Sequence, residues 1–192
     1  MENNDPRYVR SRRKLRAAFL EIAHDDPAKL SVSAVCEQTG LDRATFYRHF
    51  DALDDLVADA LGEYADRSTA QWDATSTGSG TQFDESSAIF TAYLRHIEEN
   101  WPVYRWALGP QGSTKTAHVL LSRFARGPAS ELTRLAPELS DEERDFRAAF
   151  IAGGILGACV HWLSTDVPSC SAEVLTVWIL RSAEQNLEQQ PW

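Results

Sequence analysis

Between Arg43 and His49 the chain gathers Arg43, Thr45, Tyr47, Arg48 and His49, a run of cationic and hydroxyl-bearing side chains. Such groups suit a polyanion. Arginine can fork onto the acceptor edge of guanine, a threonine methyl can touch thymine, and hydroxyls can hydrogen-bond phosphate oxygens. Ser31 would place another hydroxyl where the backbone N–H groups of a helix N-terminus favour an anion. Upstream, Arg7, Arg10, Arg12, Arg13, Lys14 and Arg16 fall within ten residues. The formal charge of −9 hides this asymmetry. Residues 7–50 carry nine Lys/Arg against five Asp/Glu, whereas residues 51–192 carry ten against twenty-one. A basic head on an acidic body points to nucleic acid at one end only.

These groups need a scaffold, and apolar residues recur at helical spacing through most of the chain, without sustained period-two alternation. Leu15, Ala18, Phe19 and Ile22 mark a first helix from about Arg7 to His24, ended by Asp25-Asp26-Pro27. Ser31 caps a short second helix carrying Val32, Val35 and Cys36, which Gly40 breaks. Asp42 reads as an N-cap of the third, to about Phe50, in preference to a reader of cytosine. Leu53, Leu56, Val57, Ala60, Leu61 and Tyr64 stripe a fourth. Ala74 to Gln82 reads as a loop, followed by a helix from Ser86 to Glu99 and a short one beginning near Pro102. Another covers Lys115 to Arg126, with Gly127-Pro128 expected to stop it. Ser140-Asp-Glu-Glu143 is a capping box opening a long apolar helix to Leu163, and Pro168 and Ser171 introduce the last, to about Gln189. The expected fold is all-α with about nine helices: a three-helix unit over residues 1–53 and a larger helical domain over residues 54–192.

Two short helices joined by a tight glycine turn, in a small basic three-helix unit, form the pattern of a helix-turn-helix. Val32, Val35, Cys36, Phe46 and Phe50 would pack inward and leave the polar side chains of the third helix outside. The string from Ser31 to Leu56, with Gly40 in the turn and Thr45-Phe46-Tyr47-Arg48-His49-Phe50 closing helix three, resembles the DNA-binding domain of the TetR family. Leu15 to Ala23 is similar to that family's first helix. The resemblance spans about the first sixty residues; beyond them only helicity is shared. It implies that Ser31, Tyr47 and His49 grip phosphates while Arg43 and Thr45 approach bases or adjacent backbone, with Arg48 beside them. Arg12 is expected to add phosphate attraction. Leu53 stands where the family usually has a phosphate-binding lysine, and Asp51, Asp54 and Asp55 would repel DNA unless turned away.

The aromatic residues concentrate in the C-terminal half, and all six tryptophans lie after Ala70. Phe90, Tyr93, Trp101, Tyr104, His161 and Trp162 have the composition of an apolar pocket with a few polar groups, although each also suits a core. The acidic balance of this half favours a neutral or cationic small molecule over an anionic one. Gly153, Gly154 and Gly157 form a strip of small residues that permits close helix approach, either within one subunit or between two. The resemblance implies the second, a homodimer paired through the last two helices and including Trp178. A palindromic double-stranded operator needs two such copies.

No Gly-rich phosphate loop, H-E-x-x-H or G-x-S-x-G pattern is present, so neither an enzyme nor a cofactor is expected. Cys36, Cys159 and Cys170 have no metal-like spacing and suit reduced cytosolic thiols. The polar, arginine-rich first fourteen residues are unlike a signal peptide, and the longest apolar run, Ala148 to Leu163, is too short to cross a bilayer. The expected function is a cytoplasmic, effector-responsive DNA-binding repressor. The alternative is a co-regulator of the same fold acting through a protein partner.

Overall fold

The computed structural model describes residues 5–75, 82–109 and 112–188. Among them are ten α-helices and no strand: α1 (Pro6–Asp25), α2 (Val32–Thr39), α3 (Arg43–His49), α4 (Leu53–Thr75), α5 (Gln82–Glu99), α6 (Trp101–Leu108), α7 (Thr114–Phe124), α8 (Arg126–Leu135), α9 (Asp141–Trp162) and α10 (Ala172–Glu188). A single 3-10 turn, Pro27–Lys29, follows α1.

Short-range chemistry sets the first boundaries. Asp26 leaves the helical region and accepts a hydrogen bond from the Ala28 N–H, closing α1 and opening the 3-10 turn. The Ser31 hydroxyl accepts from the Ala34 N–H at 3.1 Å, and the Asp42 carboxylate from the Thr45 N–H at 2.6 Å, so both are the expected N-caps. Gly40 ends α2 in the left-handed region, φ 68°, where a side chain is disfavoured.

The expected helix stop at Gly127-Pro128 is instead the first turn of α8. Pro128 sits where the backbone N–H would lack an intrahelical acceptor anyway, so the ring costs no hydrogen bond there. That is the helix beyond the expected nine. The loop expected over Ala74 to Gln82 falls mostly outside the described residues, and α5 begins at Gln82 rather than Ser86.

Leu15, Phe19, Val35, Phe46 and Phe50 fill the space between α1, α2 and α3. This cluster continues without a break through Leu56 and Leu61 of α4 into Tyr93, Leu94, Ile97, Tyr104 and Leu120. Helix α4 therefore belongs to both cores: it packs on α1 at one end and on α5 and α7 farther along.

Its carboxylates fasten it. Asp59 pairs with Arg12 and Arg16, each at 2.6 Å, and Glu63 pairs with Arg16 at 2.7 Å. Asp66 pairs with Arg123 and with Arg126. The Arg123 guanidinium also donates to the Gly62 carbonyl at 3.1 Å, and a Cβ at Gly62 would lie only 2.6 Å from its Nε. Gly62 thus provides the notch through which α7 reaches the α4 backbone.

Burial of the Asp59 carboxyl opposes its ionisation, but hydrogen bonds from Arg16 and Arg12 outweigh that and hold its pKa below the ordinary aspartate value. A depressed carboxylate contributes stability above its unfolded value of ~3.9, and that contribution is lost as pH falls through the lower folded value. Asp59→Asn should therefore cost about 1–3 kcal/mol at neutral pH. Urea melts at pH 7 and pH 2 check this: the deficit should shrink in acid, and an equal deficit at both would contradict the assignment.

Candidate functional site

Helix α3 is braced from behind by Phe46 and Phe50 and turns its polar residues outward. Tyr47 is 52% exposed, and Arg43 and Arg48 are exposed with it. Arg43 donates to the Ser33 hydroxyl on α2, and Arg48 donates to Thr45 Oγ1 at 3.0 Å, so this face is held together by its own hydrogen bonds. Ser31 is exposed, its hydroxyl capping α2.

His49 and Arg12 stand apart from that face. His49 Nε2 lies 2.7 Å from the Ser11 hydroxyl, and its ring packs on Tyr8 at 4.1 Å between centroids. Burial, then the nearby Arg12 and Arg48, lower its pKa from the ordinary 6.5, with Asp59 opposing. Arg12 is taken up by Asp59 and lies over the Phe50 ring at 5.4 Å. Ser11, Tyr8 and Asp59 form these ties through tertiary contact, which no local motif announces. Arg7, Arg10, Arg13 and Lys14 are the basic residues of α1 that remain exposed.

The acids beside Leu53 are accounted for in part. Asp55 accepts from the Ala52 N–H at 2.9 Å and pairs with Lys115 of α7. Lys115 also feels Asp51 and Asp54, and this acidic surrounding raises its pKa, the Asp55 hydrogen bond being the largest cause. Leu53 packs against the core.

In the second half, Tyr93 of α5 and Tyr104 of α6 are buried, and Tyr64 of α4 and His96 of α5 join them. Tyr64 stacks on His96 at 3.6 Å; His96 meets Tyr104 edge-on at 5.7 Å; Tyr93 meets Phe124 edge-on at 5.3 Å. Trp101 and Trp162 pack edge-on at 4.9 Å, and Trp162 Nε1 donates to the Cys170 carbonyl at 3.0 Å. Phe90 packs half-buried against the same core. His161 does not share this interior. It is exposed, yet His161 and the buried Trp162 both line the groove of about 330 Å³ between α9 and α10, which none of Phe90, Tyr93, Trp101 and Tyr104 lines.

That groove opens on an apolar surface. Phe146 and Phe150 of α9 are 72% and 63% exposed and Trp178 of α10 is 57% exposed, with Val160, Val174 and Val177 nearby in sequence. Gly153, Gly154 and Gly157 lie on the open side of α9, where an added Cβ would meet nothing within 4 Å. The glycines therefore do not serve packing inside this subunit. Phe146 and Phe150 read equally well as core residues, since an outward apolar stripe has the same period as an inward one.

Among the described residues no group of His, Cys, Asp and Glu could hold a metal ion, and no helix is long and apolar enough to cross a membrane. The burial of His49 makes one quantity measurable. Its imidazole should titrate below ~6.5 by NMR; a midpoint at or above that value would contradict the packing against Ser11 and Tyr8.

The family described as bacterial regulatory proteins, tetR family, matches residues 15–60, and the transcriptional regulator C-terminal region of that kind matches residues 84–180. No curated protein sequence matches the chain. Solved structures with the same fold include a tetR-family transcriptional regulator from Streptomyces coelicolor, with TM-score 0.64 and 16% identity over 92% of this chain and 80% of that one. The dihydroxyacetone kinase operon activator DhaS has TM-score 0.62 and 16% identity, covering 94% and 97% of the two chains. The repressor AlkX from Dietzia sp., implicated in biodegradation of n-alkanes, has TM-score 0.60 and 13% identity, covering 98% of each chain. With both halves matched, and the second match alone spanning half its length, the chain belongs to the TetR family of transcriptional regulators.

Proposed function

We propose that this regulator is an effector-responsive repressor that binds a palindromic operator as a homodimer. The observation that carries the reading is the outward face of α3, where Arg43, Thr45, Tyr47 and Arg48 sit on a rigid apolar brace. Arg43 and Thr45 would approach base edges, while Tyr47, Ser31 and the exposed Arg10, Arg13 and Lys14 would hold phosphates. His49, neutral and tied to Ser11, would at most offer a hydrogen bond after reorienting. Because Asp55 is drawn towards Lys115, the acidic start of α4 is partly neutralised, which supports DNA binding over the co-regulator reading.

The exposed apolar strip of α9 and α10 supports pairing, since patches of this kind mark interfaces in water. An effector held by the aromatic interior would act through α4, which both halves share. It can shift DNA affinity only by binding one arrangement better than the other. Repression follows from a bound dimer obstructing polymerase; one fold neighbour is an operon activator and another a repressor, so the fold serves either sign.

Mobility shifts on the protein's own upstream DNA, against unrelated DNA at physiological salt, test the reading. Selective binding is expected, and its absence would favour the co-regulator. Arg43→Ala should weaken operator binding by about 1–3 kcal/mol and relax preference at one base position, whereas Arg13→Ala should mainly reduce the salt slope, by about one. Identical effects of the two would remove the division between base reading and phosphate contact. Phe150→Glu should yield a monomer in analytical ultracentrifugation and lose the selective shift; a dimer that survives the charge would place the interface elsewhere.

A further inference from the structure

The start of α4 sets folding against the DNA-reading role proposed for α3. Asp51, Asp54 and Asp55 fall within five residues, directly after the last turn of α3. Asp51 follows His49 by two residues, so its Cα lies within about 7 Å of that helix end. That is no farther than the ~8 Å over which physiological salt screens a charge. Acids nevertheless suit this place in the fold. A helix N-terminus favours negative charge, and Asp55 accepts a hydrogen bond from the Ala52 N–H at 2.9 Å, fastening the first turn. The carboxylate that helps α4 begin therefore repels a phosphate backbone drawn to α3.

A cation from the other half of the molecule answers it. Lys115 stands in the first turn of α7 and pairs with Asp55. Nothing on α7 itself explains a lysine there: a cation is disfavoured at a helix N-terminus, and α7 contains no Asp or Glu. The Asp55 side chain is 18% exposed and that of Lys115 54%, so the pair presents more of its cation than of its anion to solvent. Asp51 and Asp54 act on the same ammonium from a greater distance. The placement is held along the helix. Lys115 meets Asp55, and farther on Arg123 meets the Gly62 carbonyl and Asp66, so α7 runs beside α4 in the same direction. Lys115 to Arg123 rises about 12 Å and Asp55 to Gly62 about 11 Å, which keeps the two ties in register.

Resting on the reading of α3 as the DNA-facing helix, we propose that Lys115 is an electrostatic mask for the operator complex. From the second half of the chain it neutralises Asp55 and so lets the acidic start of α4 lie beside phosphates, without being a phosphate contact itself. DNA affinity is thereby tied to the seat of α7 on α4.

The test measures affinity of the full-length protein for its own upstream duplex and for an unrelated duplex by fluorescence anisotropy, from about 50 to about 300 mM salt. At the low-salt end Lys115→Met should weaken binding of both duplexes about 3- to 10-fold, and Asp55→Asn should tighten it by a similar factor. Asparagine keeps an oxygen that can accept from the Ala52 N–H. Both changes should shrink towards about twofold as salt rises. Removing both charges together should return affinity to within about twofold of wild type, and Lys115→Arg should keep it there. A pair that only holds α4 in place would give losses of the same sign for Lys115→Met and Asp55→Asn, which would overturn the mask. A double variant as weak as Lys115→Met would make Lys115 a direct phosphate contact and overturn it too, as would a loss that salt does not diminish. Wild-type protein that binds neither duplex would overturn the reading of α3 and this inference with it. Selective wild-type binding beside an unaffected Lys115→Met would overturn this inference alone.

Discussion

The Asp59 carboxylate accepts hydrogen bonds from Arg12 and Arg16 of α1 across 47 and 43 residues of chain, and most of the molecule's geometry depends on that junction. It fastens the three-helix unit to α4 at the point where the two cores merge. One turn farther on, Glu63 adds a second tie to Arg16, and beyond it Asp66 is held by Arg123 and Arg126 from the other half. Helix α4 is thus gripped by cations from both sides. Its burial along Leu56, Val57 and Leu61 makes that grip effective, because charges beside an apolar core interact more strongly than charges in open water.

This arrangement separates two uses of basic residues that look alike in sequence. Arg12 and Arg16 spend their charge on α4, whereas Arg7, Arg10, Arg13 and Lys14 face outward. The division follows the helical period: Arg12 and Arg16 are four apart and so share a face of α1. The basic head is therefore partly an internal device, and its outward charge is smaller than a count of arginines suggests.

What could be read from sequence was what short-range chemistry decides. Ser31, Gly40, Asp42 and Ser140 each act within a turn of their own position, so the helix-turn-helix and the start of α9 were legible. Helix α8 was not, because Gly-Pro reads as a stop unless one knows that a new helix begins there. The ties of His49 to Ser11 and of Arg12 to Asp59 join residues distant in sequence, and no local pattern encodes them. Aromatic composition located the right half of the chain but could not sort its members. Tyr93 and Tyr104 went inside, His161 stayed out, and Phe146 and Phe150 came to rest on the surface.

The notch at Gly62 sets how closely α7 can approach α4. Arg123 reaches the α4 carbonyl at a position that lacks a Cβ, and a side chain there would force the guanidinium to shift. A screw displacement of α4 by one residue would carry Gly62 away and turn the Cβ of Leu61 or Glu63 towards the guanidinium, which would then have to shift. Gly62 lies in the middle of α4, so this contact ties α7 to the stretch of helix between Asp59, held from α1, and Asp66, held from α7 and α8.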